Sequence, residues 1–171
     1  MGLHTSLAVS RGARPLSLAL MIREAAPPPV ASHAPVVALG LQRFVYDVDD
    51  EARHGKGGAV AKRRRPVSVP LRGLRFPAGG VLGAAGEGDA LLDGHALLGG
   101  MDTLSGPAYD LYGVVSHEGP PNDGHYVASV LCGHQWWRFD DSNVTVVAEG
   151  MVVTPDAYLL FYLRRNADIS D

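Results

Sequence analysis

The chain has 171 residues, enough for one domain with its own core and too few for two ordinary ones. Its net charge of −3 leaves no basic footprint for nucleic acid, and no apolar run approaches the roughly eighteen residues of a membrane span; neither partner is expected. A single cysteine, Cys132, excludes a disulfide framework and a thiolate zinc site and points to an intracellular protein of cytoplasm or nucleus, with no metal and no cofactor expected.

Residues 1–33 mix Arg, Ser, Ala and Pro without a sustained period and read as a poorly ordered leader. Within it, Leu16-Ser-Leu-Ala-Leu-Met-Ile22 suggests a short helix, which Pro27-Pro28-Pro29 would stop. From Pro35 the pattern changes. Val36-Val-Ala-Leu-Gly-Leu41 is a nearly continuous apolar run that suits a buried strand, and Phe44-Val-Tyr46 extends it before an exposed acidic turn from Asp47 to Lys56. The basic run Lys62-Arg-Arg-Arg65 reads as a solvated strand end or loop rather than a localisation signal or anion patch. Val67-Ser-Val69 with Leu71 predicts a second strand, and residues 78–106 a long glycine-rich loop with a helical turn at Ala90-Leu-Leu92.

The last third is the most regular part. Strands are expected at 109–115, 125–132, 136–140, 144–147 and 158–163, with a turn-rich loop from Ser116 to Gly124. Short strands joined by short turns imply an antiparallel meander, and residues 166–171 form a tail.

If Gly133 and His134 are the two turn residues, Cys132 faces Gln135 and His125 lies opposite Ser142. Directly opposed residues share a face, so His125 and Asp140 become diagonal neighbours about 7–8 Å apart at their backbones, while Asp141 points to the other side. An odd-length turn or a bulge would reverse the parity and select Asp141. An imidazole that accepts a proton from a nucleophile needs a partner to fix its tautomer and stabilise its cation, and Asp140 can supply both.

Four motifs follow in order: Tyr109-Asp-Leu-Tyr-Gly-Val-Val-Ser-His117, Gly124-His-Tyr-Val-Ala128, Trp137-Arg-Phe-Asp-Asp-Ser-Asn-Val144 and Ala157-Tyr-Leu-Leu-Phe-Tyr162. Together they resemble the histidine box of ubiquitin-specific cysteine proteases. Pro35-Val-Val-Ala-Leu-Gly-Leu-Gln-Arg-Phe44 resembles the family's strand ending in Lys-Arg-Phe, with Gln42 in place of the lysine. Val67-Ser-Val-Pro70 is similar to its Val-x-Phe-Pro segment, with Val69 in place of phenylalanine. The resemblance covers residues 34–165, apart from the glycine-rich middle. It implies an α+β fold of which this chain is the β-rich, antiparallel-sheet half of a papain-like cysteine protease, the helical cysteine-bearing half being absent.

The same resemblance assigns His125 as general base, Asp140 as the carboxylate that orients it and Asp141 as an assisting or alternative acid. It places Asn122, Asp123, Gly124 and Tyr126 beside the channel for ubiquitin's C-terminal tail. The implied activity is thiol-dependent hydrolysis after the C-terminal glycine of ubiquitin, and the implied partners are ubiquitin or ubiquitinated proteins. Nothing in residues 1–33 resembles the family's Asn-Thr-Cys box. Cys132 is seven residues beyond His125 on the same strand, roughly 23 Å away at strand rise and of opposite parity, so no nucleophile is assigned in this chain. The expectation is a truncated or incomplete catalytic domain that would need an upstream cysteine-bearing half. The alternative is an inactive pseudo-protease or scaffold that still binds ubiquitin.

Overall fold

The computed structural model describes residues 3–10, 15–25, 34–47, 59–76 and 107–166. Its centre is a seven-stranded sheet in the order β1 (Leu3–Ala8), β3 (Val36–Gln42), β11 (Ala157–Arg164), β7 (Tyr109–Glu118), β8 (His125–Cys132), β9 (Gln135–Asp140), β10 (Asn143–Val147). The strands β7 to β10 form the expected meander, and β11 returns to lie between β3 and β7, antiparallel to both. Only β1 and β3 pair in parallel, which makes the sheet mixed.

The hairpin registers follow from turn chemistry. Gly133 has a φ of 63°, as the first position of a two-residue hairpin turn of type II′ requires, and Cys132 pairs with Gln135 as the two-residue turn demands. A second two-residue turn at Asp141-Ser142 pairs Asn143 with Asp140, with Asp141 at a φ of 50°, a left-handed conformation that aspartate tolerates better than most residues.

One face of the sheet holds the core. Val37, Leu39 and Leu41 of β3, Leu160 and Tyr162 of β11, Val114 of β7 and Trp136 of β9 are buried there. A register shift between Phe161 and Tyr162 lets Tyr109 and Leu111 face the same core as Val114, which strict alternation from Val114 would deny them. The opposite face is sparsely covered: Tyr126, Phe139, Val144 and Val146 are all exposed.

The reading of residues 1–33 as an unpacked leader does not hold for the part described. Leu7 and Val9 around β1, and Leu18, Met21 and Ile22 of α1 (Leu18–Ala25), belong to the central hydrophobic cluster. Their apolar residues lack a long period because they are split between a six-residue strand and an eight-residue helix, each too short to display one. β2 (Leu16–Ser17) precedes the helix and pairs in parallel with β6 (Val67–Ser68).

Two further expectations change. Phe44-Val-Tyr46 does not extend β3: after Arg43 the chain forms β4 (Phe44–Asp47), which pairs antiparallel with β5 (Ala59–Lys62) in a separate two-stranded arm. β7 runs on to Glu118, so the loop before His125 is residues 119–124 rather than 116–124. The glycine-rich segment 78–106, most of the acidic turn 47–56 and the tail beyond Asn166 lie outside the described residues. Among the described residues no helix is long and apolar enough to cross a membrane.

Candidate active site

His125 opens β8 and Asp140 closes β9. Alternation puts both on the core-bearing face, in line with Val127, Ser129 and Trp136, but at the rim where burial ends. There the two side chains meet: His125 Nε2 lies 2.6 Å from Asp140 Oδ1. The diagonal pairing expected from strand parity is the geometry observed. Both groups remain substantially exposed, at 44% and 38% of their side-chain surface, so an imidazole edge stays accessible to a reacting group.

The carboxylate is itself held. Arg138, two residues back on the same face of β9, sits 3.3 Å from Asp140 Oδ2 through Nη2 and donates from Nη1 to Glu118 Oε1 at 2.8 Å. Glu118 pairs with His125 in the β7–β8 register, so a row Glu118–Arg138–Asp140–His125 crosses three strands. The Asp140 hydrogen bond raises the His125 pKa above its ordinary 6.5, outweighing the opposing desolvation, and the charges of Asp140, Asp141 and Glu118 act in the same direction as the hydrogen bond. The His125 hydrogen bond holds the Asp140 carboxyl below its ordinary range, helped by Arg138.

Asp141 departs from the parity reading. β9 ends at Asp140 and the left-handed turn swings Asp141 round, so that a donor atom from each of His125, Asp140 and Asp141 lies within 4.8 Å of the others. Such a trio has the composition of a metal ligand set. Here, however, one Asp140 oxygen is engaged by His125 and the other by a guanidinium, an arrangement suited to a charge pair rather than to a cation.

Asn122, Asp123 and Gly124 lie exposed in the loop that leads into His125. Tyr126 projects to the opposite face, 54% exposed, as one of an aromatic group. Its ring is 4.8 Å from His117 and 6.1 Å from Tyr158, and Phe44 closes the group at 5.0 Å from His117. Gly124 is packed against this group: a Cβ there would stand 1.9 Å from the buried His117 ring. Cys132 ends β8, exposed, at the far end of the strand that begins with His125.

The family model for ubiquitin carboxyl-terminal hydrolases matches residues 17–162. The chain belongs to that family. Ubiquitin carboxyl-terminal hydrolase 8 of Saccharomyces cerevisiae is 44% identical over 61 residues, a stretch covering 35% of this chain and 13% of the yeast protein. Human ubiquitin carboxyl-terminal hydrolase 19 is 44% identical over 72 residues, covering 37% of this chain and 6% of the human one. Among solved structures, a chain of the yeast SAGA deubiquitinase module superposes with a TM-score of 0.63 at 22% identity, covering 97% of this chain and 34% of that one. The Ubp8/Sgf11/Sus1/Sgf73 module bound to ubiquitin aldehyde gives 0.64 at 21%, covering 97% and 36%. The likeness in fold thus spans nearly all of this hydrolase-family chain but about a third of its structural relatives, and among the described residues strands predominate over helix.

Several charged residues around the site were not singled out as site residues from sequence. Arg43, fully buried, donates to the carbonyls of Ala157, Arg63 and Arg65 and ties the β4–β5 arm to the start of β11. Lys62 and Asp156 form a buried ion pair beside His117. Only the Gln42-Arg43-Phe44 motif hinted at the first, because nothing local distinguishes a buried cation from a solvated one. The basic run is not uniformly solvated, since Lys62 is buried while Arg64 is exposed.

Proposed function

We propose that this chain provides the general base and its orienting carboxylate to the thiol-dependent hydrolysis of bonds following the C-terminal glycine of ubiquitin, acting inside the cell in cytoplasm or nucleus. The observation that carries this reading is the 2.6 Å contact between His125 and Asp140 on an accessible rim. His125 takes the proton from a thiol, Asp140 fixes the tautomer and balances the imidazolium that forms, and Asp141 adds negative potential. Residues 122–124 and Tyr126 border the path of the ubiquitin tail. The names of the relatives and the ubiquitin aldehyde held by one structural neighbour support ubiquitin as the partner.

The nucleophile comes from elsewhere than Cys132. That thiol stands at the opposite end of β8, on the strand face opposite His125 and roughly 23 Å along it at ordinary strand rise. The same separation favours a second reading, a ubiquitin-binding pseudo-protease that never meets a thiol. Assay against a fluorogenic ubiquitin C-terminal amide separates the two. The chain alone should be inert and should resist a thiol-reactive ubiquitin probe; adding a cysteine-bearing half of the family's catalytic domain, from the same gene if it encodes one, should give turnover that His125→Ala removes. Binding of ubiquitin without any turnover on complementation selects the pseudo-protease. Turnover by the chain alone, lost on Cys132→Ser, overturns both.

A further inference from the structure

The loop of residues 119–124 carries three proposed tail-contacting residues and ends at His125, yet its own sequence, Gly-Pro-Pro-Asn-Asp-Gly, contains no apolar anchor. Its internal bonding is slight: the Asp123 amide donates to the Pro120 carbonyl at a long 3.4 Å. What holds its first residue comes from a different part of the chain. Lys62, the last residue of β5, reaches under the end of β7 with only 5% of its side chain exposed. Its ammonium donates to the carbonyl of His117 and, at 2.9 Å, to the carbonyl of Gly119.

A lysine so buried needs a counter-charge, and Asp156 provides it: Lys62 Nζ lies 2.8 Å from Asp156 Oδ1, an ion contact outside good hydrogen-bond geometry. The second oxygen of Asp156 accepts from Arg64 Nη2 at 2.7 Å, and the Asp156 carbonyl accepts from the His117 amide at 3.0 Å. Lys62 thus donates hydrogen bonds to two carbonyls and faces one carboxylate by charge alone, the three belonging to residues 117, 119 and 156. At the other end the loop is fixed by shape, since Gly124 lies against the His117 ring with no room for a side chain.

We propose that Lys62, neutralised by Asp156, is a positioning residue that sets the course of the 119–124 loop and thereby presents Asn122, Asp123 and Gly124 to substrate beside His125. Gly119, with a φ of 87°, is the point at which the chain leaves the strand in a direction that L side chains rarely allow. A cation bound to the carbonyls on both sides of Glu118 selects that departure from the others open to a glycine-proline-rich loop. The ammonium touches no substrate; it acts through the two carbonyls. This inference rests on the tail-channel role proposed for 122–124, but the clamp itself is testable without it.

The test uses amide hydrogen exchange on the full chain and, separately, kinetics of the complemented enzyme, with Lys62→Met, the charge-free pair Lys62→Met/Asp156→Asn and Arg64→Met. The double variant removes both charges of the Lys62–Asp156 pair, leaving the buried Arg43 held by its three carbonyl acceptors, and keeps the test open if the single variant fails to fold. Exchange should accelerate in peptides covering 117–124 for both Lys62 variants, with strands β8 to β10 unchanged, and should stay at the parent rate in Arg64→Met. In the complemented enzyme, loosening the loop so that about a tenth of molecules hold the competent course raises KM about tenfold with kcat nearly constant. Acceleration spread evenly over the sheet, or no local acceleration, overturns the clamp. Local acceleration with KM unchanged overturns the link from clamp to substrate. If the unsubstituted chain gives no turnover on complementation, it is the functional reading that fails, and the exchange pattern still decides the clamp.

Discussion

The meander β7–β10 and the N-terminal portion, β1 to β6 with α1, are built on opposite principles. In the meander each strand from β8 on pairs with its predecessor across a short connection, and the contacts that create the site join residues about twenty positions apart or closer. In the N-terminal portion β1 pairs with β3 across some thirty residues and β2 with β6 across about fifty. The meander presents chemistry at its rim and apolar side chains on its open face. The N-terminal strands and helix supply buried Leu, Val and Ile, together with the buried cations Arg43 and Lys62. The reacting groups are positioned by local pairing, while the surface on which they rest is assembled from distant sequence.

The sharpest test of that contrast is chemical. Substituting His125 in the complemented enzyme should lower turnover by at least about a hundredfold, the lower range for losing a general base, with the circular dichroism of the chain unchanged because the side chain is nearly half exposed at the rim of the sheet. A matching loss of folded signal would mean that the rim is structural.

Next in size is the N-terminal portion. Leu7 is 1% exposed in the central cluster, and Leu7→Ala should cost about 2–5 kcal/mol in urea unfolding. A change below about 0.5 kcal/mol would restore residues 1–33 to the status of a leader and detach β1 from the domain.

The pH dependence should separate two histidines eight residues apart. For His125 the folded pKa is raised by the Asp140 hydrogen bond, so its contribution to stability is fully present below the unfolded value near 6.5 and is lost as pH rises through the folded one. Asp140, held low, gives a contribution present above about 3.9 and lost as pH falls through its folded value. For His117 the pKa is lowered, first by burial and then by Lys62, so its contribution is present above about 6.5 and fades as pH falls. Ring titration by NMR should therefore place His125 above His117. Asp140→Asn should bring His125 down and carry the acid limb of the complemented enzyme's rate profile to lower pH, leaving His117 in place. An unmoved His125 would dissolve the pair.

The smallest effect belongs to the open face of the meander. Val146 is 55% exposed on the edge strand β10, and Val146→Thr should shift the unfolding midpoint by the equivalent of no more than about 0.5 kcal/mol. A cost as large as that of Leu7→Ala would show that this face is covered in solution.

The sequence by itself determined the strands of the last third, the two-residue turn at Gly133-His134 and hence the meeting of His125 with Asp140. Side-chain alternation and hairpin register are set by neighbours in the chain, and a two-residue turn leaves the parity no freedom. It determined the family as well, through motifs of residues 109–162 that belong to that same local architecture. Tertiary structure alone decided that β1 and α1 enter the core, since strand and helix of six and eight residues take their stability from burial in the shared hydrophobic cluster rather than from a period of their own. It also decided that Asp141 returns to the site, because a left-handed turn residue no longer obeys strand alternation. And it decided that Lys62, alike in sequence to the arginines that follow it, is the cation drawn inward. Which member of a basic run is buried depends on where a carboxylate and two free carbonyls wait, and these come from residues more than fifty positions away.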